Sequence, residues 1–395
     1  MYLAGLKFKQ KMNKLSKIIL LFTIAMTIVS CSKSSSSEEP IRDYSEQNVK
    51  DMASIETFMK THYMEVVSNP GGTDDQDVTF TLIPTGDITH TSIWDQTTYP
   101  ILTRNVTVTQ NSVDIPYKIY YLQLRQGSGA TSKSPCNVDR VLTAYRGEYI
   151  YSTTDATTNI TSVLSNQFEE LVTPQNFFSL TSVIRGWSEV FPQFKTGSYT
   201  GNSDGTVTYN DYGAGVMFLP SGLAYYSNAT GGIPAYSPLI FSFKLFEIQR
   251  ADQDGDGIPS YLEDIGTDAA HPTTPDGYML TLATGVANID DTDGDEIPNF
   301  LDNDDDGDYF TTRSETSYVN PTDPVHTVRY YPYDGAAVDD PLTPYVDERQ
   351  GVPRKFTGPN NALGYPTSNN PADFTDPTRL RRYLDPSAKP VFSDQ

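Results

Sequence analysis

The sequence predicts a mainly β chain of the α+β class, and three observations carry that prediction. Aromatic residues make up 12% of the 395 residues and tyrosine alone accounts for 26, a composition that suits pleated sheets better than helix bundles. Glycine and proline contribute 27 each, so turns are frequent. Between residues 78 and 249, short β-branched and aromatic runs (78–83, 106–109, 115–124, 216–219 and 239–248) are separated by turn clusters. The length implies two or three modules at roughly 150 residues each, and a hydrophobic content of 37% is enough for a core.

Composition also excludes function classes. A net charge of −22 leaves no basic footprint for nucleic acid. Two cysteines rule out a disulfide scaffold or a cysteine-rich zinc module. Four scattered histidines, without HExxH spacing, leave little for a zinc hydrolase, and no GxxxxGK[ST] phosphate loop occurs.

In chain order, residues 1–30 carry five lysines and no acid, and Lys14 and Lys17 precede an apolar run from Ile18 to Val29. That run is too short to span a bilayer but suits a signal-peptide core, and a start at Met12 would give it a conventionally short basic segment. It ends in Val29-Ser30-Cys31, followed by a serine run. This resembles a bacterial lipobox, which implies a lipidated Cys31 at the mature terminus and an exported, membrane-anchored protein. An ordinary cleaved signal with a chance cysteine is the competing reading. Cys136 then has no internal partner and reads as a small buried residue. Residues 32–44 read as a polar tether. Residues 46–67 read as one amphipathic helix, with Met52, Ile55, Met59 and Val66 on one face, ended by Asn69-Pro70-Gly71-Gly72.

Three stretches of the β region belong together: 141–147, a strand ending in a turn at Gly147; Phe168-Glu169 with 178–180 and 183–187; and 220–225 with 232–234 and 239–245. In order and composition they resemble the FKBP-type peptidyl-prolyl cis–trans isomerases. The resemblance implies an FKBP-like twisted antiparallel sheet around one short helix, opened by 183–191. It places Trp187 beneath a bound proline ring, with Tyr145, Phe168, Val183, Ile184, Ile233 and Phe241 as walls. The Ile184 N–H and the Tyr225 hydroxyl would hold the substrate main chain. Phe178 supplies a further wall, with Phe177 its competitor because the spacing to Val183 is shorter than the family's. Glu169 stands where the family usually has Asp. Residues 152–167 and 198–215 read as insertions near the pocket rim.

After Arg250 the composition changes, and residues 252–308 contain no Lys or Arg. Asp252, Asp254, Asp256 and Glu263 occupy positions 1, 3, 5 and 12 of a twelve-residue loop, with Gly257 at 6, the Ile258 carbonyl at 7 and Ser260 at 9. This is EF-hand-type calcium spacing, in which alternate residues of a tight loop aim hard oxygen ligands inward. The pattern returns at Asp291, Asp293, Asp295, Ile297, Asn299 and Asp302, and again at Asp304, Asp306, Asp308, Phe310, Thr312 and Glu315. Position 6 is Glu296 in the second loop and Tyr309 in the third, where glycine would turn most easily. Pro259 and Pro298 at position 8 disfavour a long exiting helix, so the loops resemble thrombospondin type 3 or dockerin repeats. A solvated acidic linker is the plainer reading, but so much unneutralised charge would resist compaction. Residues 316–395 read as extended or partly disordered tail.

The chain therefore divides into a lipoprotein signal peptide (1–30), tether and helix (31–75), FKBP-like domain (76–250), acidic repeats binding structural calcium (251–316) and irregular tail (317–395). The layout resembles FKBP-type lipoproteins of the Bacteroidota. It implies an outer-membrane, lipid-anchored prolyl isomerase acting on proline-containing polypeptides, with a type 9 secretion translocon as a possible partner and the membrane face undetermined. The alternative is a non-enzymatic interaction subunit of an outer-membrane secretion complex, using an FKBP-like pocket and a calcium-rigidified docking segment. No calcium ligand comes from the pocket stretches, so ion removal is expected to loosen 252–315 first.

Overall fold

The structure is a computed structural model, and it describes residues 40–265, 277–280, 288–319, 328–333, 338, 341, 348–360 and 370–388. The chain divides into two units, Met1–Ile41 and Arg42–Gln395. Cys31, the expected lipidation site, lies outside the described residues. No described helix is long and apolar enough to cross a membrane.

Asp43 caps α1 (Tyr44–Thr61), its carboxylate accepting the Glu46 N–H at 3.0 Å. The sequence pattern carries this helix to residue 67, but it ends at Thr61 and β1 (His62–Val66) follows. The reason is an available partner: β1 pairs antiparallel with β2 (Val78–Leu82), His62 opposite Leu82 and Val66 opposite Val78. Val66 still packs on the core that takes Ile55 and Met59, but it gets there from a strand, alongside Met64.

The next strands are β3 (Ile101–Gln110), β4 (Val113–Arg125), β5 (Arg140–Thr154), β6 (Thr161–Leu171) and the two-residue β7 (Phe178–Ser179). A short helix, α2 (Arg185–Val190), precedes a small hairpin of β8 (Ser198–Gly201) and β9 (Val207–Asn210). Then come β10 (Gly213–Leu219) and β11 (Leu239–Gln249). Seven of these form one antiparallel sheet, ordered β3-β4-β10-β11-β5-β6 with β7 also on β5.

Both faces of this sheet are covered. Met217, Leu219, Phe241 and Phe243 share a core with Trp187 of α2, whereas Val216, Phe218 and Ile240 share the other core with Ile55, Phe58 and Met59 of α1. Hence all seven residues of β10 are buried, and its sequence lacks the polar alternation of a half-exposed strand. The two segments read as insertions are hairpin: 152–167 is the far end of β5–β6, and 198–215 holds β8, β9 and the start of β10.

Gly147 does not end β5 in a turn. The strand continues to Thr154, and glycine is needed there because a Cβ would lie 2.4 Å from the Phe168 ring and 2.9 Å from Phe241. Gly186 has a similar task in α2, where a Cβ would stand 2.5 Å from both methyls of Leu219, which is fully buried and has no room to yield.

The acidic segment packs on this domain. Asn137 N–H donates to Gly277 O at 2.8 Å, and its side-chain oxygen accepts the Met279 N–H at 2.9 Å. Cys136 is buried with Val138, Met279 and Phe300. Beyond it lie α3 (Thr312–Glu315), β12 (Ser317–Val319), β13 (Val328–Tyr330) and α4 (Ala372–Thr375). Described parts of the tail are packed, since Val352, Tyr383 and Leu384 share a small core with Ile258, Tyr318 and Tyr331.

Gly186→Ala should destabilise the protein by about 1–3 kcal/mol through overpacking. Gly201→Ala, where a Cβ would meet nothing within 4 Å, should leave stability nearly unchanged. Urea unfolding of the two variants checks the contrast, and equal midpoints would contradict the close approach of α2 to the sheet.

Candidate functional site

Trp187 lies in the single turn and a half of α2, and the sheet surrounds it with aromatic edges. Its ring centroid is 5.0 Å from Tyr145, 5.3 Å from Phe241 and 5.8 Å from Phe178, at interplanar angles of 79°, 89° and 72°. These are edge-to-face contacts, the arrangement that the ring quadrupole favours. Phe168, from β6, stands edge-on to Phe241 at 5.8 Å.

Above this floor opens a cavity of about 480 Å³ lined by Tyr145, Phe168, Glu169, Phe178, Ser182, Val183, Ile184, Arg185, Trp187, Ala224, Tyr225 and Phe241. Of the pocket residues expected from the sequence, nine line this one cavity. Ile233 does not; it is buried in the core beneath, 4% exposed. Phe178 rather than Phe177 faces Trp187, and Phe177 is 38% exposed. Ser182, Arg185 and Ala224 line the cavity without having been expected there. Their residue types carry no signal of their own, although Arg185 is adjacent to Ile184.

The cavity's charges are few and mostly occupied. The Arg185 guanidinium is held by Glu189 at 2.7 Å, and Arg104 donates to the other Glu189 oxygen at 3.2 Å. Glu169 sits near two phenols. Burial first, and then this carboxylate, raise both the Tyr145 and the Tyr225 hydroxyls above the ordinary phenol range. Both therefore remain protonated donors at neutral pH. Ile184 is the N-cap of α2 in extended conformation, and no described residue accepts a hydrogen bond from its N–H. The Trp187 indole N–H is likewise buried without an acceptor among the described residues. The arrangement can desolvate an apolar ring and offer N–H and O–H donors to a peptide carbonyl beside it. It contains no nucleophile–base pair.

A second smaller cavity, about 190 Å³, lies elsewhere on the sheet and includes Lys244. That lysine is held by Thr73 O at 2.7 Å and Asp77 at 2.6 Å.

The three acidic loops share one hydrogen-bonding scheme. The residue at position 5 donates its N–H to the position-3 carboxylate at 3.2, 3.1 and 3.2 Å in loops one, two and three. Position 6 donates to the position-1 carboxylate at 3.2, 3.1 and 2.9 Å. Position 7 donates to position 5 at 2.6, 2.8 and 2.9 Å. To do this, position 6 adopts φ of +100° at Gly257, +79° at Glu296 and +74° at Tyr309. The two non-glycine residues take the left-handed conformation at a cost of roughly 1–2 kcal/mol each.

Three sets of carboxylates, Asp252/Asp254/Asp256, Asp291/Asp293/Asp295 and Asp304/Asp306/Asp308, each bring oxygens within 4.8 Å of one another. Ser260, Asn299 and Thr312, the position-9 residues, accept the position-2 N–H of Gln253, Thr292 and Asp305 at 3.2, 3.0 and 3.3 Å. Glu263 and Glu315 are buried, and both Glu263 oxygens and one Glu315 oxygen have no hydrogen-bond partner. Such carboxylates fit a hard divalent cation, which would supply the missing positive charge.

Burial is the main cause that raises these groups: Asp254 to about 6, Asp256 and Asp306 to about 7, Asp305 to about 9, Glu315 to about 10 and Glu263 to about 11. Each binds its proton more tightly folded than unfolded. The metal-free fold therefore has its full contribution from these groups below about pH 4, the ordinary carboxyl value, and loses it as pH rises through the raised values. The gap between the melting temperatures with calcium and with chelator should widen from pH 4 to pH 9. A gap that narrows over that range would contradict the assignment.

Parts of the chain are similar to known proteins. The family model described as BamM C-terminal matches residues 253–345. Among solved structures, the chain is similar to a peptidyl-prolyl cis-trans isomerase of Pseudomonas syringae pv. tomato, with 23% identity over 33% of this chain and 76% of that one, at a TM-score of 0.23. It is also similar to FkpA from Escherichia coli, with 17% identity over 61% of this chain and 75% of that one, at a TM-score of 0.26. None of the curated proteins compared with the chain matches it.

Proposed function

We propose that this protein is an FKBP-type peptidyl-prolyl cis–trans isomerase, anchored in the outer membrane by lipid on Cys31 and carrying a structural calcium-binding extension. The observation that supports it is the cavity over Trp187, walled by Tyr145, Phe168, Phe178 and Phe241. Isomerising a prolyl amide breaks no bond. The barrier of roughly 18–20 kcal/mol is the loss of C–N resonance. The twisted amide is less dipolar than the planar one, so a dry aromatic site favours it relative to water. Trp187 would carry the proline ring, and the Ile184 N–H and the Tyr225 hydroxyl would hold the neighbouring carbonyls. Proline-containing segments of envelope or secreted proteins are the substrates this reading implies. The match of residues 253–345 to the BamM C-terminal model supports an outer-membrane assembly or secretion setting.

A second reading is a binding subunit that clamps a partner's proline loop without turnover. It is favoured by the way the extension bonds to the pocket helix, where the Tyr278 hydroxyl donates to Glu189 O at 2.9 Å.

A chymotrypsin-coupled assay on a proline tetrapeptide tests the proposal. Tyr225→Phe removes one hydrogen bond of about 0.5–1.5 kcal/mol, so kcat/KM should fall roughly two- to twelve-fold. Trp187→Ala and Phe168→Ala open the cavity to water and should fall further, with circular dichroism confirming that each is folded. Folded aromatic variants with full activity would place the site elsewhere.

Fatty-acid labelling of the chain in cells should mark the wild type and spare Cys31→Ser. Equal labelling of the two would contradict the anchor.

A further inference from the structure

The three acidic loops are identical at positions 1, 3, 4 and 5, and the second position, set among these, differs in each. There the first loop has Gln253, the second Thr292 and the third Asp305. Gln253 and Thr292 are neutral and satisfied: the Gln253 amide donates to Val138 O at 2.9 Å, and the Thr292 hydroxyl accepts from the Asn299 amide at 3.0 Å. Asp305 is 1% exposed, and neither of its carboxylate oxygens has a hydrogen-bond partner. Alternation along the loop keeps it out of the set formed by Asp304, Asp306 and Asp308.

Asp305 meets the first loop instead. One of its oxygens lies within 4.8 Å of carboxylate oxygens of Asp256 and Glu263. Those residues are 1% and 0% exposed, and Asp256 Oδ2 and both Glu263 oxygens are also without partners. Three buried carboxylates from two separate loops thus converge with five of their six oxygens unsatisfied, the sixth, Asp256 Oδ1, accepting the Ile258 N–H at 2.6 Å. No Lys or Arg among the described residues forms an ion pair with any of them. The Arg313 guanidinium donates to the Asp256 carbonyl at 3.4 Å and acts on its carboxylate from beyond ion-pair distance. Buried carboxylates are kept where a partner or a metal compensates them.

We propose that Asp305 is a ligand of the cation held by the first loop, so that this site is assembled from two loops and ties them together. The inference rests on the calcium reading of the loops and adds to it a ligand that the twelve-residue spacing does not contain. It also accounts for the ninth position. In an EF-hand-type loop that residue contributes to the ion's shell, often through water, but here Ser260 is 0% exposed and accepts the Gln253 N–H at 3.2 Å. With the Ser260 hydroxyl so engaged, an Asp305 carboxylate oxygen adds to what the first loop's own residues offer the ion. Calcium accepts six to eight oxygens in a flexible geometry and tolerates a ligand brought from a distance, and added carboxylates raise its affinity.

The test uses the full chain and calcium itself. Bound calcium is counted after equilibrium dialysis, and affinities are read by titration calorimetry, for wild type, Asp305→Asn, Asp254→Asn and the double variant. Asp305→Asn should weaken one site at least tenfold. Asp254→Asn should weaken the same site, and the double variant should lose no more sites than either single one. In chelator, Asp305→Asn should melt no lower than wild type, because a buried unneutralised charge is gone, while its gain on adding calcium shrinks. Asp305→Ala serves as a second variant that leaves no amide to satisfy. Wild-type calcium binding in Asp305→Asn and Asp305→Ala overturns this inference alone. So does a double variant that loses two distinct sites. A wild-type chain that binds no calcium overturns the loop reading and this inference together.

Discussion

The packing of Trp187 against one face of the sheet is the constraint from which the rest of the domain follows. A helix of six residues has too few hydrogen bonds to persist alone. It is held because its indole fills a ring of aromatic edges and because Gly186 lets its backbone come close to Leu219. Gly147 and Gly215 serve the same geometry, since a Cβ at either would lie within 2.5 Å of an aromatic ring, Phe168 and Phe194 respectively. The cavity is what remains when that ring of side chains is not closed over the top. Its walls and the domain's core are thus the same residues, and changes to the site are also changes to stability.

A second constraint is charge. Carboxylates concentrated after residue 251 are folded in against one another and against the domain. Asp139, fully buried, accepts from Cys136 N–H at 2.7 Å and from Arg250 at 2.5 Å, fixing the point where the acidic segment leaves β11. Further on, Tyr278 lies under the Arg104 guanidinium at 3.6 Å and accepts from Gln193 at 2.6 Å, beside the end of α2. The acidic loops and the pocket are separate in sequence, and Tyr278, between the first two loops, bonds to the pocket helix.

Much of this was legible in the sequence, for reasons that particular residues make clear. The runs that became β4, β10 and β11 are rich in β-branched and aromatic residues with turn signals on either side, and these reflect local chemistry. The three carboxylate repeats were visible because each set of carboxylates comes from one short loop. What depended on distant partners was not visible. Residues 62–66 left the helix because β2 lay alongside. Gly147 looked like a turn, but the ring that requires its missing Cβ belongs to Phe168, on the next strand. Asp305 falls at position 2, outside the alternating spacing, and only the folded chain brings it to Glu263. The hydrogen bonds from the position-2 N–H groups to the ninth-position oxygens, seven residues on, were likewise not visible in the spacing.

The central claim is that the cavity accelerates prolyl isomerisation and does not merely bind proline. Exchange NMR on an X-Pro peptide in large excess over the full chain measures this without a coupling protease. The account predicts cis–trans exchange cross-peaks at mixing times of a fraction of a second, where the free peptide, which isomerises over roughly tens to hundreds of seconds, shows none. Peptide resonances that shift on binding while exchange stays at the uncatalysed rate would contradict it, and would make the protein a proline-binding subunit.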